Sequence, residues 1–157
     1  MAEEGAPAVY VDADACPVKD ETMRVARRHG LAIVMVGNTW MRLGNTPDIR
    51  RVVVPEGPDA ADDWIAEHAG PGDVVVTSDI PLAARCLKAG AEVLGPTGRA
   101  FTDDGIGAAL AMREINQLRR DMGEIGGGGP SFSTKDRSRF LDGMERAVQA
   151  AKRRRPA

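Results

Sequence analysis

The sequence predicts a three-layer α/β/α domain built on a mostly parallel central sheet of about five strands. Short continuous runs of valine and other apolar residues alternate with longer segments of helical pattern. Continuous apolar runs are typical of strands that are covered on both faces. Alanine, valine and glycine are plentiful while aromatic residues make up only 4% of the chain, which favours helices packed closely on a parallel sheet. A length of 157 residues suits a single domain, 1–157.

In the first half of the chain, strands and helices alternate. The residues Val9, Tyr10 and Val11 prefer the strand conformation and predict a short buried strand. Pro17 stands at the favoured first position of a helix, and Gly30 follows that helix as a C-terminal glycine does. The predicted elements of this half are strands at 9–11, 31–36 and 51–54, helices at 17–29 and 59–69, and a loop at 37–47.

The alternation continues in the second half and then changes character. Gly90 stops a helix, and a glycine-rich break at 126–130 separates the last helix from the preceding one. Ser133 or Thr134 can cap that last helix. The predicted elements of this half are strands at 73–77 and 91–94 and helices at 81–88, 103–122 and about 134–153.

Composition excludes several classes of protein. The formal net charge is only −2, so no global electrostatic field indicates a nucleic acid or a membrane partner. Cys16 and Cys86 lack paired metal-ligand spacing and fit a reducing compartment. No leader pattern opens the chain and no apolar run approaches the roughly 18 residues that a membrane span needs. We therefore expect a cytoplasmic protein without a membrane partner.

Acidic residues follow three elements that this topology can bring together. Asp12 and Asp14 come directly after the first strand, Asp62 and Asp63 lie in the first turn of the 59–69 helix, and Asp79 follows the fourth strand. Open α/β sheets bind their ligands at the carboxyl ends of the strands. Each cluster also has a purely structural interpretation, since acids favour helix N-termini and Asp79 can cap the next helix.

A divalent cation is the expected partner of these carboxylates. Carboxylates gathered in one cleft repel one another unless a positive charge joins them. With no nearby cysteine pair or histidine to favour zinc, Mg²⁺ or Mn²⁺ is predicted. Helical geometry places Asp62 at the border of the buried helix face and turns Asp63 toward solvent or an outer partner. The predicted ligands are Asp12, Asp62 and Asp79, with Asp14 and Asp63 as ligands or as partners of ligands.

Several segments together resemble a known family. They are Asp12-Ala13-Asp14-Ala15-Cys16-Pro17, Asp59-Ala60-Ala61-Asp62-Asp63-Trp64-Ile65-Ala66, Thr77-Ser78-Asp79-Ile80-Pro81, and the stretch from the glycine-rich break to Phe140. Over nearly its whole length the chain is similar to the YaiI/YqxD family of bacterial proteins. That family in turn resembles PIN-like and flap-type nucleases, whose motifs match at Asp12, Asp62 and Thr77/Asp79. Pro81 stands where flap-type nucleases carry a further Asp, so the number of metals stays open.

The resemblance and the acidic clusters together predict a metal-dependent nuclease acting on RNA or DNA. Asp12, Asp62 and Asp79 are the predicted catalytic residues, because bound metal can activate water and stabilise charge on the phosphate. Phosphate contacts are expected from polar and basic side chains on the 37–47 loop and near the start of the last helix. These side chains are Asn38, Arg42, Asn45, Arg137 and Arg139.

Three alternatives remain beside the nuclease. Asp12 and Asp14 also resemble the Asp-x-Asp of haloacid-dehalogenase phosphatases, although Ala15-Cys16 replaces their Gly-Thr pair and Asp62 and Asp63 would then have no role. A PIN-like module could bind nucleic acid or a protein without turnover. Cys16 could act as a nucleophile near a helix start, but no histidine base lies nearby in the sequence.

Overall fold

A computed structural model describes residues 7–13, 16–38, 49–55, 57, 59–123 and 132–154 of the protein. Its strands are β1 (Ala8–Asp12), β2 (Ala32–Gly37), β3 (Ile49–Val53), β4 (Val74–Val76), β5 (Glu92–Leu94) and β6 (Ala100–Phe101). Its helices are α1 (Lys19–Arg28), α2 (Ala60–His68), α3 (Ile80–Lys88), α4 (Asp103–Asp121) and α5 (Thr134–Arg154). The predicted α/β class is confirmed.

One sheet holds the strands in the order β3-β2-β1-β4-β5-β6. All neighbouring pairs are parallel except β5 and β6. From β1 the chain winds outward through β2 to β3, and it then returns to the other side of β1 to form β4 and β5. The order of strands therefore reverses between β1 and β4, which is the crevice where open α/β sheets bind ligands.

The sixth strand, β6, was not predicted from the sequence. It has only two residues and pairs antiparallel with β5 after a tight turn at residues 95–99. Gly98 in this turn has φ +84°, a conformation that glycine adopts without steric cost. A two-residue strand is too short to produce a hydrophobic period, so its existence depends on pairing with β5.

Two apolar layers cover the sheet, one on each face. On one face α1 and α5 bury Val9 and Val11 of β1 together with Phe140, Met144 and Val148 of α5. On the other face α2 and α3 pack Ile65, Leu82 and Cys86 against Val75 and Val93 of the sheet, and α4 packs against α3. Alternation of side chains along β1 sends Val9 and Val11 to the α1/α5 face and Tyr10 to the α2/α3 face, so Asp12 belongs to the α2/α3 side.

Polar and backbone contacts add to the apolar packing that joins α5 to the rest of the domain. Lys152 Nζ lies 2.7 Å from His29 Nδ1, and His29 Nε2 lies 2.8 Å from Glu145 Oε2. Gly143 of α5 lies directly against the backbone of Gly98.

In the described part of the chain, no helix is both long and apolar enough to cross a membrane.

Candidate functional site

Asp12 and Thr77 lie side by side at the carboxyl edge of the two central strands. The register pairs Val11 with Val76, so Asp12 and Thr77 are the next residues on neighbouring strands. The Thr77 hydroxyl donates to Asp12 Oδ2 at 3.0 Å and accepts from the backbone N–H of Asp79 at 3.0 Å. Thr77 is buried. A single hydroxyl therefore sets the position of Asp12 relative to the turn that carries Asp79.

Asp79 is the N-cap of α3. Its Oδ1 accepts from the backbone N–H of Leu82 at 2.8 Å, and Pro81 lies in the first turn of the helix. The capping interpretation of Asp79 is therefore correct as local structure. Because the cap uses Oδ1, one oxygen of this carboxylate is committed to α3 and the side chain is held in one orientation.

Asp62 completes the acidic cluster from the first turn of α2. Burial, and then the nearby carboxylates of Asp79, Asp12 and Asp59, raise the pKa of Asp62 to about 6 from an ordinary value of 3.8, while Arg85 lowers it. Both burial and like charge disfavour the ionised form. The contributions of Asp79 and Asp12 to this shift, which come after that of burial, indicate that the acids of β1, α2 and α3 face the same edge of the sheet.

Asp63 and Arg85 form an ion pair beside the cluster. Arg85 Nη1 donates to Asp63 Oδ1 at 2.8 Å, and the Asp63 side chain is 53% exposed. Asp63 thus has its own cationic partner and points away from the buried face of α2, as its helical position predicts. The ion pair also holds Arg85 near Asp62, where the guanidinium lowers the pKa of that carboxyl.

A shallow depression, partly open to solvent, lies against Asp12. Its lining comes from the ends of β1 and β4, the start of the following segments and the β5–β6 turn: Asp12, Cys16, Val76, Thr77, Ser78 and Pro96. The depression shares Asp12 and Thr77 with the acidic cluster and does not include Asp62 or Asp79. Burial raises the pKa of the Cys16 thiol, which opposes the thiolate form that a nucleophilic cysteine requires.

The donor set of the cluster matches a hard divalent cation. Asp12, Asp62 and Asp79 offer only carboxylate oxygens, the ligands that Mg²⁺ and Mn²⁺ prefer. A cation would also relieve the repulsion that raises the pKa of Asp62. Among the residues that the structure describes, no three His, Cys, Asp or Glu side chains converge closely enough to form a metal site as they stand. Asp14, the remaining predicted ligand, lies outside the described residues.

The predicted phosphate contacts differ in their surroundings. Asn38 follows β2 at the same edge of the sheet as Asp12 and is half-buried. Arg42 and Asn45 lie outside the described residues. Arg139 is exposed near the start of α5. Arg137 is engaged within the protein, because its Nη1 donates to the backbone carbonyl of Pro17 at 2.9 Å and to Glu21 at 3.0 Å.

Two residues of the site carry roles that sequence reasoning did not assign. Thr77 was noted as part of a motif, but its hydroxyl bridge between Asp12 and the Asp79 turn depends on the pairing of β1 with β4. Arg85 carries no signal in the sequence for its role, because only the packing of α2 against α3 brings it to Asp63.

Comparison with known proteins identifies close bacterial relatives. A family model described as "Uncharacterized BCR, YaiI/YqxD family" matches residues 10–150. A UPF0178 protein of Parvibaculum lavamentivorans is 60% identical over 148 residues, covering 94% of this chain and 97% of that protein. A relative from Rhodospirillum rubrum is 57% identical, with 94% and 99% covered. A relative from a Caulobacter species is 58% identical over 145 residues, with 92% and 96% covered.

A comparison of structures gave a distant match. The crystal structure of yeast methylglyoxal/isovaleraldehyde reductase complexed with NADPH aligns with a TM-score of 0.38 and 14% sequence identity. The alignment covers 73% of this chain and 50% of the reductase. A similarity at that level carries no argument about the function of this protein.

Proposed function

This chain belongs to the YaiI/YqxD family, and we propose that it is a divalent-metal-dependent nuclease that hydrolyses phosphodiester bonds in RNA or DNA. The observation that carries the proposal is the electrostatic contact of Asp62 with Asp79 and Asp12, which contributes to a pKa of about 6 for Asp62. Such a cluster is stabilised by a proton or by a cation. Its oxygen-only donors favour Mg²⁺ or Mn²⁺ as that cation.

Each acidic residue has a distinct part in the proposed site. Asp12 is the central ligand, oriented by the Thr77 hydroxyl at 3.0 Å. Asp79 contributes from the start of α3, where its Oδ1 is used by the cap, so Oδ2 is the oxygen that the proposal assigns to the cation. Asp62 approaches from α2 as the third ligand. When bound, the cation lowers the pKa of an attacking water and offsets the charge that develops on the phosphate.

The substrate phosphates need positive or hydrogen-bonding groups around this acidic edge. The proposal assigns that role to Asn38 and Arg139, together with Arg42 and Asn45 of the 37–47 loop. Such contacts position a nucleic-acid backbone and carry no sequence information. Arg137 is less available for phosphate binding, because it already donates to Glu21 and to the Pro17 carbonyl. Its contacts favour a role in holding α5 against the start of α1.

The competing functions make different use of the same residues. In a phosphatase of the haloacid-dehalogenase type, Asp12 would attack phosphorus directly and Asp62 would have no task. The influence of Asp12 and Asp79 on the pKa of Asp62 therefore favours the nuclease. A module that binds nucleic acid without turnover would use the same cation and the same basic residues. Turnover has to be measured to separate these two.

Cleavage of labelled nucleic acid by the full chain tests the proposal. RNA, single-stranded DNA and flap DNA are incubated with Mn²⁺ and wild-type protein, Asp79→Asn or Glu67→Gln. Asparagine keeps an oxygen acceptor for the Leu82 N–H, so Asp79→Asn removes the charge while preserving the cap. Glu67 lies exposed on α2, more than one turn beyond Asp62. Glu67→Gln is therefore the control that removes one carboxylate without changing the candidate site. We expect wild type and Glu67→Gln to cleave alike, and Asp79→Asn to lose about 100-fold or more.

Two further measurements separate the outcomes. Isothermal titration with Mn²⁺ should show binding to wild type and Glu67→Gln that Asp62→Asn weakens. Binding without cleavage of any substrate would support the non-catalytic module and contradict the nuclease. Hydrolysis of a phosphate monoester in place of the diesters, lost in Asp12→Asn, would support the phosphatase. Equal cleavage by wild type and Asp79→Asn would show that the assigned site is wrong.

A further inference from the structure

Helix α4 lies at the outside of the domain with most of its surface in solvent. In the described part of the chain, none of its nineteen residues is buried. The residues that are partly covered are Ile106, Ala109, Leu110 and Asn116, and all four fall on the side that faces α3. From Ala111 onward, Asn116 is the one residue of α4 with partial cover from the described residues. The part of α4 from residue 111 to residue 121 is eleven residues long. Isolated helices shorter than about 12–15 residues are marginal in water.

The face of α4 that points away from α3 is apolar. Its large members are Met112, Ile115, Leu118 and Met122, which are 52%, 43%, 62% and 70% exposed. Residues 104, 108, 111, 115, 118 and 122 follow alternating steps of four and three, the spacing of a helix that packs lengthwise against another helix. Single exposed apolar residues are ordinary, but a continuous exposed row marks an interaction surface.

The side chains of this face differ in size and charge between the two halves of the helix. Its N-terminal half carries the small residues Ala108 and Ala111 and the acidic Asp104. Its C-terminal half carries the bulky Ile115 and Leu118 and the basic Arg119. Such a surface is complementary to itself when it is reversed end to end, because Ile115 and Leu118 then meet the small alanines and Arg119 comes near the acidic Asp104. Two-fold pairing of identical surfaces has this property.

We propose that two copies of this chain pair through α4 in an antiparallel arrangement about a two-fold axis near residue 113. This register sets Ile115 against Ala111 of the partner subunit and Leu118 against Ala108 of the partner subunit. Arg119 comes within about one helical turn of Asp104 of the partner subunit, and symmetry repeats each contact. In this register residues 105–121 of the two helices run side by side for about 25 Å.

A parallel pairing of the same helices is disfavoured by charge. It would set Asp104 against Asp104 and Arg119 against Arg119, and it would align the two helix dipoles in the same direction. Like charges that face each other across an interface oppose association. In the antiparallel arrangement the facing charges are opposite and the two helix dipoles oppose each other, so both interactions become attractive. The charges of α4 therefore favour pairing with a second copy of the chain in the antiparallel direction.

Sedimentation of the full chain over a range of concentrations tests the pairing. We expect wild type to dimerise and Leu118→Glu to raise the dissociation constant by about 100-fold. Asp104→Arg and Arg119→Glu should each raise it by about tenfold, because each creates two like-charge contacts. Asp103→Arg and Arg120→Glu are matched controls, since they change the same charges one residue away on another side of the helix, and both should dimerise as wild type does.

Mixing the two charge variants gives the decisive result. A heterodimer of Asp104→Arg with Arg119→Glu restores an opposite-charge contact at both ends, so the mixture should associate to within about threefold of wild type. Circular dichroism verifies that each variant remains folded. A wild type that stays monomeric at about 100 μM, as it would if another part of its own chain covered α4, overturns the proposal. A dimer that Leu118→Glu leaves intact also overturns it.

Discussion

At the scale of single residues, the Thr77 hydroxyl connects the Asp12 carboxylate to the backbone of Asp79, 67 positions away in the sequence. It donates to Asp12 and accepts from the backbone N–H of Asp79, so the loss of this hydroxyl would remove both hydrogen bonds. Burial, and then the charges of Asp79 and Asp12, raise the pKa of Asp62. Substitutions of Thr77 and Asp62 should therefore change the stability of the protein as well as its activity.

Replacing Asp62 by Asn should stabilise the protein at pH 8 and have little effect at pH 4. The pKa of Asp62 is about 6 in the folded protein and 3.8 as its ordinary value. Between these values the folded state binds more protons, so the free energy of unfolding falls as pH rises through this window and remains lower above it. Asn cannot ionise and avoids this loss. Because the side chain is only partly buried, we expect a gain of about 1 kcal/mol at pH 8.

Urea unfolding in metal-free buffer measures this effect. Glu67→Gln, which removes an exposed carboxylate from the same helix, is the matched control. A stabilisation by Asp62→Asn that is the same at pH 4 and pH 8 would contradict the assignment of the raised pKa to this residue. Mn²⁺ should reverse the order of stability at pH 8, because a cation that binds the folded wild type stabilises it by mass action.

Replacing Thr77 by Val should destabilise the protein by about 1–3 kcal/mol. Valine has nearly the same shape but cannot donate to Asp12, and it leaves the N–H of Asp79 without its acceptor. Thr77→Ser retains the hydroxyl and serves as the control. Chemical unfolding at pH 7 measures the difference, and equal loss of stability in both variants would show that the Thr77 methyl group matters more than its hydroxyl.

At the scale of elements, α5 and the β5–β6 turn meet backbone to backbone. A Cβ added at Gly143 would stand 2.2 Å from the carbonyl oxygen of Gly98, and one added at Gly98 would stand 2.1 Å from the carbonyl oxygen of Arg139. Both distances are too short for any side chain. The turn at the edge of the depression beside Asp12, which includes Pro96, therefore depends on close contact with α5.

Replacing Gly143 by Ala should destabilise the protein by about 2 kcal/mol or more, because overpacking against backbone atoms forces the helix and the turn apart. Gly107→Ala is the matched control. A Cβ at Gly107 meets nothing within 4 Å in the described structure, so this helical glycine should gain up to about 1 kcal/mol from the better helix propensity of alanine. Thermal unfolding compares the two, and a neutral Gly143→Ala would contradict the close contact.

At the scale of the whole molecule, the two-sided sheet makes the C-terminal helix part of the core. Phe140, Met144 and Val148 of α5 are completely buried on the α1/α5 face. The glycine-rich break at 126–130 separates α5 from the preceding helix in the sequence. The packing makes α5 one of the two helices that cover that face of the sheet.

A chain that ends at Gly123 should therefore fail to fold cooperatively. Removing Phe140, Met144 and Val148 loses about 5–9 kcal/mol of apolar burial at about 1.5–3 kcal/mol each, which is comparable to the total stability of a typical domain. A chain that ends at Arg154 retains all of α5 and is the control. Urea unfolding followed by fluorescence should show a sigmoidal transition for the control, and a similar transition in the shorter chain would contradict the prediction.

The sequence by itself determined the fold class and the positions of most elements. Continuous valine-rich runs, such as the one around Val75, and glycines or prolines at helix ends are local signals, because burial on both faces and backbone geometry constrain each segment separately. The placement of Asp12 and Asp79 at the carboxyl edge of the sheet follows from the same local signals, since both residues come directly after predicted strands.

Only the tertiary structure decided which partners these elements meet. Strand β6 exists through its pairing with β5, Thr77 reaches Asp12 through the register of β1 with β4, and Arg85 reaches Asp63 through the packing of α2 on α3. The open face of α4 likewise becomes visible when no described element covers it. The physical reason is that these contacts join residues distant in the chain, and a local pattern specifies which face a residue takes but not what lies opposite that face.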